Sequence, residues 1–360
     1  MYVVRKSTVL ALVSTVAVSV GAGVSGAQGA ARFANATCDV GVLLPDSKSS
    51  VRWETQDRRY LDASFKAAGL TACISNAQNS AQTQTTQAQS AITNGAQVLL
   101  LVNLDSVSGA TIEKNAQAKG VKVIDYDRLT LKGSASYYVS FDNVGVGKLQ
   151  GQGLVACLKA SGAYGKKPVI AELNGSPDDN NATLFANGYN SVLDPLYKAG
   201  TFVKGPNQSV PKWDNQKALT IFQSMLTKTS NKIDGVAAAN DGLGNAVASA
   251  IAAKGLKNIP VTGQDATAQG VQNILSGAQC MTVYKAVKQE ADAAAKLAIS
   301  LIKKTPPAGV NSKVNDGLRD VPSALLLPVT ITKKNYKILF TDKFLKKSDV
   351  CTGKFAKLCK

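Results

Sequence analysis

Polar and charged side chains recur wherever a short apolar run of this 360-residue chain ends. Pro45-Asp46-Ser47 and then Arg52-Trp53 follow Val40–Leu44. Asp125-Tyr126-Asp127-Arg128 follow Val121–Ile124. Asn174 to Asn181 follow the next run, and Asn240-Asp241 and Gly263-Gln264-Asp265 close later ones. Carboxylates accept from a hydroxyl, guanidinium and ammonium groups donate to it, and amides do both, so this set suits a small polyhydroxylated ligand. Both tryptophans, Trp53 and Trp213, fall beside these groups, and a flat aromatic face suits the C–H face of a sugar ring. Taken singly, each tip residue is a turn cap or a surface residue; the same chemistry at five separate tips is not explained that way. The sequence contains no histidine. That excludes Ser-His-Asp and Cys-His nucleophiles, an imidazole base and any histidine metal ligand. The set reads as a binding site without catalytic residues or a cofactor.

The elements that position these groups follow a regular alternation. Nearly continuous apolar runs at 40–44, 72–74, 98–102, 121–124, 169–173, 233–238 and 259–262 alternate with helix-length segments such as 55–68, 83–93, 109–118, 145–159, 183–198, 215–228 and 244–254. Uninterrupted apolar strands are those covered on both faces, so the order predicts an α/β fold with parallel sheets. The pattern pauses at Tyr137–Asn143 and begins again, which predicts two similar Rossmann-like lobes. A helix over 286–304 and a strand over 324–332 then complete the lobes, with more than one crossing between them. Ligands of open parallel sheets bind beyond the C-terminal strand ends, which places the polar tips in a cleft between the lobes.

Arg5 and Lys6 precede an uncharged apolar run and small residues, the pattern of an export signal ending at Ala27 or Ala36. Lipid attachment at Cys38 is disfavoured because no Leu stands three residues before it. Six cysteines in an exported chain predict disulfides. Cys38 and Cys73 begin neighbouring strands, Cys351 and Cys359 are close in sequence, and Cys157 with Cys280 remains by elimination; fifteen pairings are formally open. The formal charge of +17 suggests a nucleic-acid partner until its distribution is read. Arg5, Lys6 and Arg32 lie before the later cleavage point, which leaves +14, and nine lysines against Asp342 and Asp349 after residue 332 supply half of that. The charge is peripheral. It suits an anionic cell envelope or a solvated tail better than DNA.

At this point the chain resembles the ribose/galactose-type periplasmic binding proteins, the sugar receptors of ABC importers, and their xylose-binding branch in particular. The segments that carry the resemblance are 51–54, 124–128, 140–143, 175–182, 239–241, 263–266, 281–285 and 316–323, in family order across residues 39–345. The resemblance implies the type I periplasmic binding protein fold, two lobes joined by a multi-strand hinge. It implies sugar contacts from Arg52, Asp127 and Arg128 on the first lobe, from Asn181, Asn240 and Asp265 on the second, and from Lys285 on a crossover strand. Trp53 and Trp213 would pack on the ring. A D-xylose ligand, ABC permease subunits as partners and a monomeric, extracytoplasmic protein follow from the same resemblance.

The implied boundaries are a signal at 1–36, a first lobe of 37–141 plus 285–321, a second of 142–284 plus 322–345, and a basic extension over 346–360. Hinges are expected near 140–143, between 265 and 285, and at 320–322. The chain departs from the family in its six cysteines, its basic extension and the Asp178-Asp179 pair.

Other readings fit less well. Gly145/Gly147 and Gly242/Gly244 open helices after strands without completing a dinucleotide loop. Asp178 to Asn181 lack the twelve-residue loop and closing Glu of a calcium site. Asp127 and Asp265 as a glycosidase pair would sit among arginines and amides suited to holding a sugar. A repressor would need a DNA-binding helix pair where the export signal stands. The remaining alternatives are a sugar-sensing receptor read by a membrane kinase or chemoreceptor, and a binding protein for another aldose.

Overall fold

In the first sheet the side chains of each parallel strand divide between two apolar layers. Val40, Val42 and Leu44 of β1 (Val40–Leu44) lie in one core with Val98 and Leu100 of β3 (Val98–Leu101). Leu43, Leu99 and Leu101 lie in the core on the other face. Burial on both faces is why these runs are uninterrupted. The computed structural model describes residues 38–359, so the expected export signal lies outside the described residues.

The remaining strands of this sheet are β2 (Ala72–Asn76), β4 (Lys122–Tyr126), β5 (Tyr137–Phe141), β10 (Ser312–Asn315) and β11 (Asp320–Leu326). Its order is β10-β11-β5-β4-β3-β1-β2, parallel throughout except for the antiparallel edge pair β10-β11.

The second sheet is smaller, with β6 (Val169–Asn174) between β7 (Val203–Ser209) and β8 (Gly235–Ala238). The run expected as a strand over 259–262 contributes only an isolated parallel bridge, Val236 to Val261. A short antiparallel pair, β9 (Thr282–Tyr284) with β12 (Val329–Ile331), stands apart from both sheets. A separate core gathers around the second sheet and includes Val146, Leu154, Phe185, Trp213 and Val236.

The chain passes between the two halves three times. After β5 it enters the helix Asn143–Ala160, whose Val146 and Leu154 belong to the second core. After β9 it returns through the helix Val287–Ile302, whose Ala291, Ala294 and Leu297 belong to the first. The last passage falls between Leu326 and Val329, beyond the expected hinge at 320–322. The reason is packing: β11 pairs with β5 from Ser323 to Leu326, with Val321 and Ala324 buried, and Leu327 is 81% exposed.

Gly147 and Gly188 bring two helices together so closely that a Cβ at Gly147 would meet the Phe185 carbonyl, and one at Gly188 the Val144 carbonyl. Helix packing, not a dinucleotide loop, accounts for glycine at 147. All six cysteines pair, Cys38–Cys73, Cys157–Cys280 and Cys351–Cys359, so the Cys38 sulfur is engaged with Cys73.

The C-terminal segment is no solvated tail. A helix over Lys347–Val350 and a 3-10 turn over Gly353–Leu358 follow Leu339 and Phe344, which are buried with Val271, Leu275 and Val350. Gln272 Nε2 donates to the carbonyls of Asp349 (3.3 Å) and Val350 (3.1 Å), fastening the segment to the second lobe.

Candidate functional site

Arg52 anchors one wall of a cleft between the two sheets. It precedes a π-helical turn over Trp53–Asp57, and its guanidinium is buried. Nε and NH2 donate to Asp57 (2.9 and 2.7 Å), NH2 also to Glu290 (2.5 Å), and NH1 to Asp127 (2.8 Å). Tyr126 OH donates to the same Asp57 carboxylate at 2.6 Å. Burial disfavours the Arg52 charge, but Asp57, Glu290 and Asp127 outweigh it and hold the group well above its ordinary value. Glu290 is pushed upward, first by burial and then by Asp127 and Asp57.

Asp127 stands where β4 ends, on left-handed backbone (φ 63°). An aspartate tolerates that region and a β-branched residue does not. Its carbonyl accepts from Tyr138 OH (3.1 Å) and Ser140 Oγ (2.8 Å), which fixes the turn. Burial works to raise its carboxyl, but Lys285, Arg52 and Arg128 together hold it below the ordinary carboxylate value. Arg52 and Arg128 both lie over the Trp53 ring, 4.5 and 5.6 Å from its centre. The indole Nε1 donates to Ser49 Oγ at 3.1 Å.

The opposing wall is built from helix starts. Asp179 caps the helix Asn180–Lys198 through Asn181 N (2.9 Å). Its other carboxylate oxygen meets Arg128 Nε (3.0 Å) and accepts from Trp213 Nε1 (3.1 Å). Asn181 Nδ2 reaches across to the Asp127 carbonyl and carboxylate (3.0 and 3.1 Å). Asn240 accepts from Leu243 N, capping the helix Asp241–Ala253, and its amide nitrogen donates to the Ser49 carbonyl at 3.2 Å. Cap geometry is the ordinary role of Asp and Asn at these positions. Here it also aims the spare functional group into the cleft.

Asp265 (φ 89°) faces Lys285 Nζ at 3.4 Å, and Lys285 stands 3.6 Å from Asp127. Burial lowers the affinity of Lys285 for its proton, and Asp127 and Asp265 more than restore it.

All nine residues expected at the site line one cavity: Arg52, Trp53, Asp127, Arg128, Asn181, Trp213, Asn240, Asp265 and Lys285. Ser49, Ser50, Asp179, Phe185 and Gln264 line it too and escaped the sequence reading. Phe185 was within reach, because it lies four residues after Asn181 on one helix and so shares its face. Of the Asp178-Asp179 pair, Asp178 is exposed and Asp179 is buried against Arg128, so the motif serves as cap and clamp. Gln264 Oε1 and Asp265 Oδ1 are buried and accept no hydrogen bond among the described residues. Three cations, acceptors of both kinds and three aromatic rings converge, and Asp127 is held ionised between cations rather than poised as an acid.

Two parallel α/β halves, three chain crossings and a polar cavity between them define the type I periplasmic binding protein fold. A family described as "Periplasmic binding protein domain" matches residues 40–306. The D-xylose-binding periplasmic protein of Escherichia coli (strain K12) is 33% identical over 86% of this chain and 92% of its own length. A multiple sugar-binding periplasmic receptor of Rhizobium radiobacter is 32% identical over 86% and 91%. Among solved structures, an ABC transporter solute-binding protein of Clostridium phytofermentans with bound β-D-glucose superposes with a TM-score of 0.80. It is 31% identical and spans 86% of this chain and 99% of that one. The chain belongs to the periplasmic binding protein family.

Proposed function

We propose that this protein is an extracytoplasmic receptor that captures an aldose, D-xylose first, in the interlobe cavity and delivers it to an ABC import permease. In this reading the export signal is removed and the mature protein acts as a monomer that neither turns over its ligand nor needs a cofactor. The observation that carries the reading is Gln264 Oε1, a buried acceptor with no hydrogen bond among the described residues, beside Asp265 Oδ1, which meets only Lys285 Nζ at 3.4 Å. A buried acceptor without a partner costs about 1–3 kcal/mol, which a ligand hydroxyl removes.

In this reading Asp127 and Asp265 accept from ring hydroxyls, and Arg52, Arg128, Lys285, Asn181 and Asn240 donate to them. Trp53, Trp213 and Phe185 cover the apolar edges. A micromolar complex needs only about −8 kcal/mol, so a few charge-assisted hydrogen bonds suffice. Inverting one hydroxyl would strand a charged partner, which is how stereochemistry is read. The lysines of the C-terminal segment face anionic surroundings outside the cavity.

A second reading, a receptor for another aldose, is favoured by the similarity to the multiple sugar-binding receptor and to the glucose-bound structure. Calorimetry and thermal shift of the mature protein against pentoses, hexoses and glycosides separate the readings. Tight xylose binding without turnover is expected. Preferred binding of glucose or galactose selects the second reading, and no response to any monosaccharide at millimolar concentration, or hydrolysis of a glycoside, sinks both.

A further inference from the structure

A second concavity lies at the mouth of the cleft and has the opposite character to the sugar cavity. Its walls come from three places: the first lobe (Val51, Gln56, Arg59), the second (Thr267, Ala268) and the C-terminal segment (Phe340 to Asp349). Val51, Ala268, Phe340 and Leu345 supply apolar surface, and Val51 is 57% exposed. Lys343, Lys346 and Lys347 stand around it with no salt bridge among the described residues. Arg59 points its guanidinium only at neutral partners, Gln56 Oε1 (2.9 Å) and Tyr60 OH (2.7 Å). Of the two acids in the lining, Asp265 belongs to Lys285, leaving Asp349 against four cations.

We propose that this groove docks an acidic, apolar-faced helical segment of a partner protein. Charge and surface character set the occupant: Arg59, Lys343, Lys346 and Lys347 around the single acid Asp349 call for carboxylates, and Val51, Ala268, Phe340 and Leu345 call for apolar side chains beside them. Shape decides against a flat lipid surface, since the apolar residues line a concavity and the lysines stand at its rim. An amphipathic helix laying leucine-type side chains into an apolar groove, with carboxylates meeting a basic rim, fits both the shape and the charge.

The groove is also tied to the relative position of the lobes. Gln56 Nε2 of the first lobe donates to the Phe344 carbonyl (2.9 Å) of the segment fastened to the second. Ser50, Arg52 and Asp265 line both concavities. Separation of the lobes breaks the groove, so its occupant reads the closed protein. This coupling rests on the receptor reading above; the charge recognition does not.

The test uses a synthetic helical peptide of about twelve residues with leucine at helical spacing and glutamate between, against the same peptide with glutamine for glutamate. Binding is measured by fluorescence anisotropy on the mature protein, with and without xylose, and on the triple variant Lys343→Glu/Lys346→Glu/Lys347→Glu. The acidic peptide should bind roughly tenfold or more tighter than its glutamine form, and tighter with sugar present. The triple variant should lose that preference while its xylose affinity, measured alongside, stays unchanged. Peptide binding that survives the triple reversal, or none up to about 1 mM, overturns the proposal. So does lysine-dependent binding to phosphatidylglycerol vesicles without peptide binding, or lysine-dependent self-association in light scattering. A protein that binds no sugar but keeps the charge-dependent peptide binding sinks the receptor reading and the coupling, and leaves the docking surface standing.

Discussion

The two walls of the sugar cavity are held in different ways. On the first lobe, Arg52 is locked among Asp57, Asp127 and Glu290, with Tyr126 behind Asp57, and the whole group is buried. On the second lobe, Asp179 and Asn240 are helix caps with one function to spare, and Asp265 has Ser50 Oγ at 3.2 Å and Lys285 as partners. The first wall is thus part of what keeps its lobe folded. The second is mounted on helices that would stand without it. Affinity and stability are fused on one side of the ligand and separable on the other.

Replacing Arg52 tests the fused side hardest. Arg52→Ala leaves three carboxylates facing one another in a buried site, and breaking such a cluster costs about 3–5 kcal/mol. Denaturant melts should show that loss together with loss of sugar binding; a variant of wild-type stability would erase the contrast between the walls. Asp265→Gly, which the left-handed backbone at φ 89° accepts, tests the separable side, and Arg128→Ala the link between the walls. Each should weaken sugar binding at least about tenfold, or 1.4 kcal/mol, with an intact fold by circular dichroism.

A pH-dependent effect lies beneath the second wall. Asp241 accepts from Gln279, Thr282 and Thr267, and burial, with a lesser push from Asp265, raises its carboxyl from 3.8 to about 7. The folded protein therefore keeps a proton that the unfolded chain releases near pH 4. That contribution is full below about pH 4 and is lost as pH rises to about 7. Melts from pH 4 to 8 should show the wild type losing stability relative to Asp241→Asn across that window and no further divergence above it. A constant difference would mean the carboxyl is charged throughout.

Much of this was written plainly in the sequence. The strands β1 and β3 are apolar on both faces, so their runs announced themselves, and most of the cavity residues sit at strand ends or the helix starts that follow them. What escaped did so for physical reasons. Tyr137–Phe141 carries tyrosines and a serine, and it reads as a pause because its polar groups are spent on holding the Asp127 turn. Val203–Ser209 contains Gly205 and Pro206 and is largely solvent-facing, which an edge strand tolerates and a periodicity search rejects. Val329–Ile331 left the sheet of β11 because an exposed Leu327 follows the last buried contact, a difference that composition does not carry. The C-terminal lysines hid the buried Leu339, Phe344 and Val350 between them.

The two carboxylates that flank Lys285 share a backbone peculiarity, left-handed dihedrals at 63° and 89°. Only glycine adopts that region freely, and only asparagine and aspartate among common alternatives enter it at little cost. Any effort to retune which sugar this cleft prefers therefore meets a restricted alphabet at Asp127 and Asp265. Exchanges within that trio change the ligand chemistry alone, whereas a serine, a glutamate or a branched residue also bends the chain. Redesign of selectivity would begin at Asn181, Phe185 and Asn240, whose backbone is helical or extended and accepts the full range of side chains.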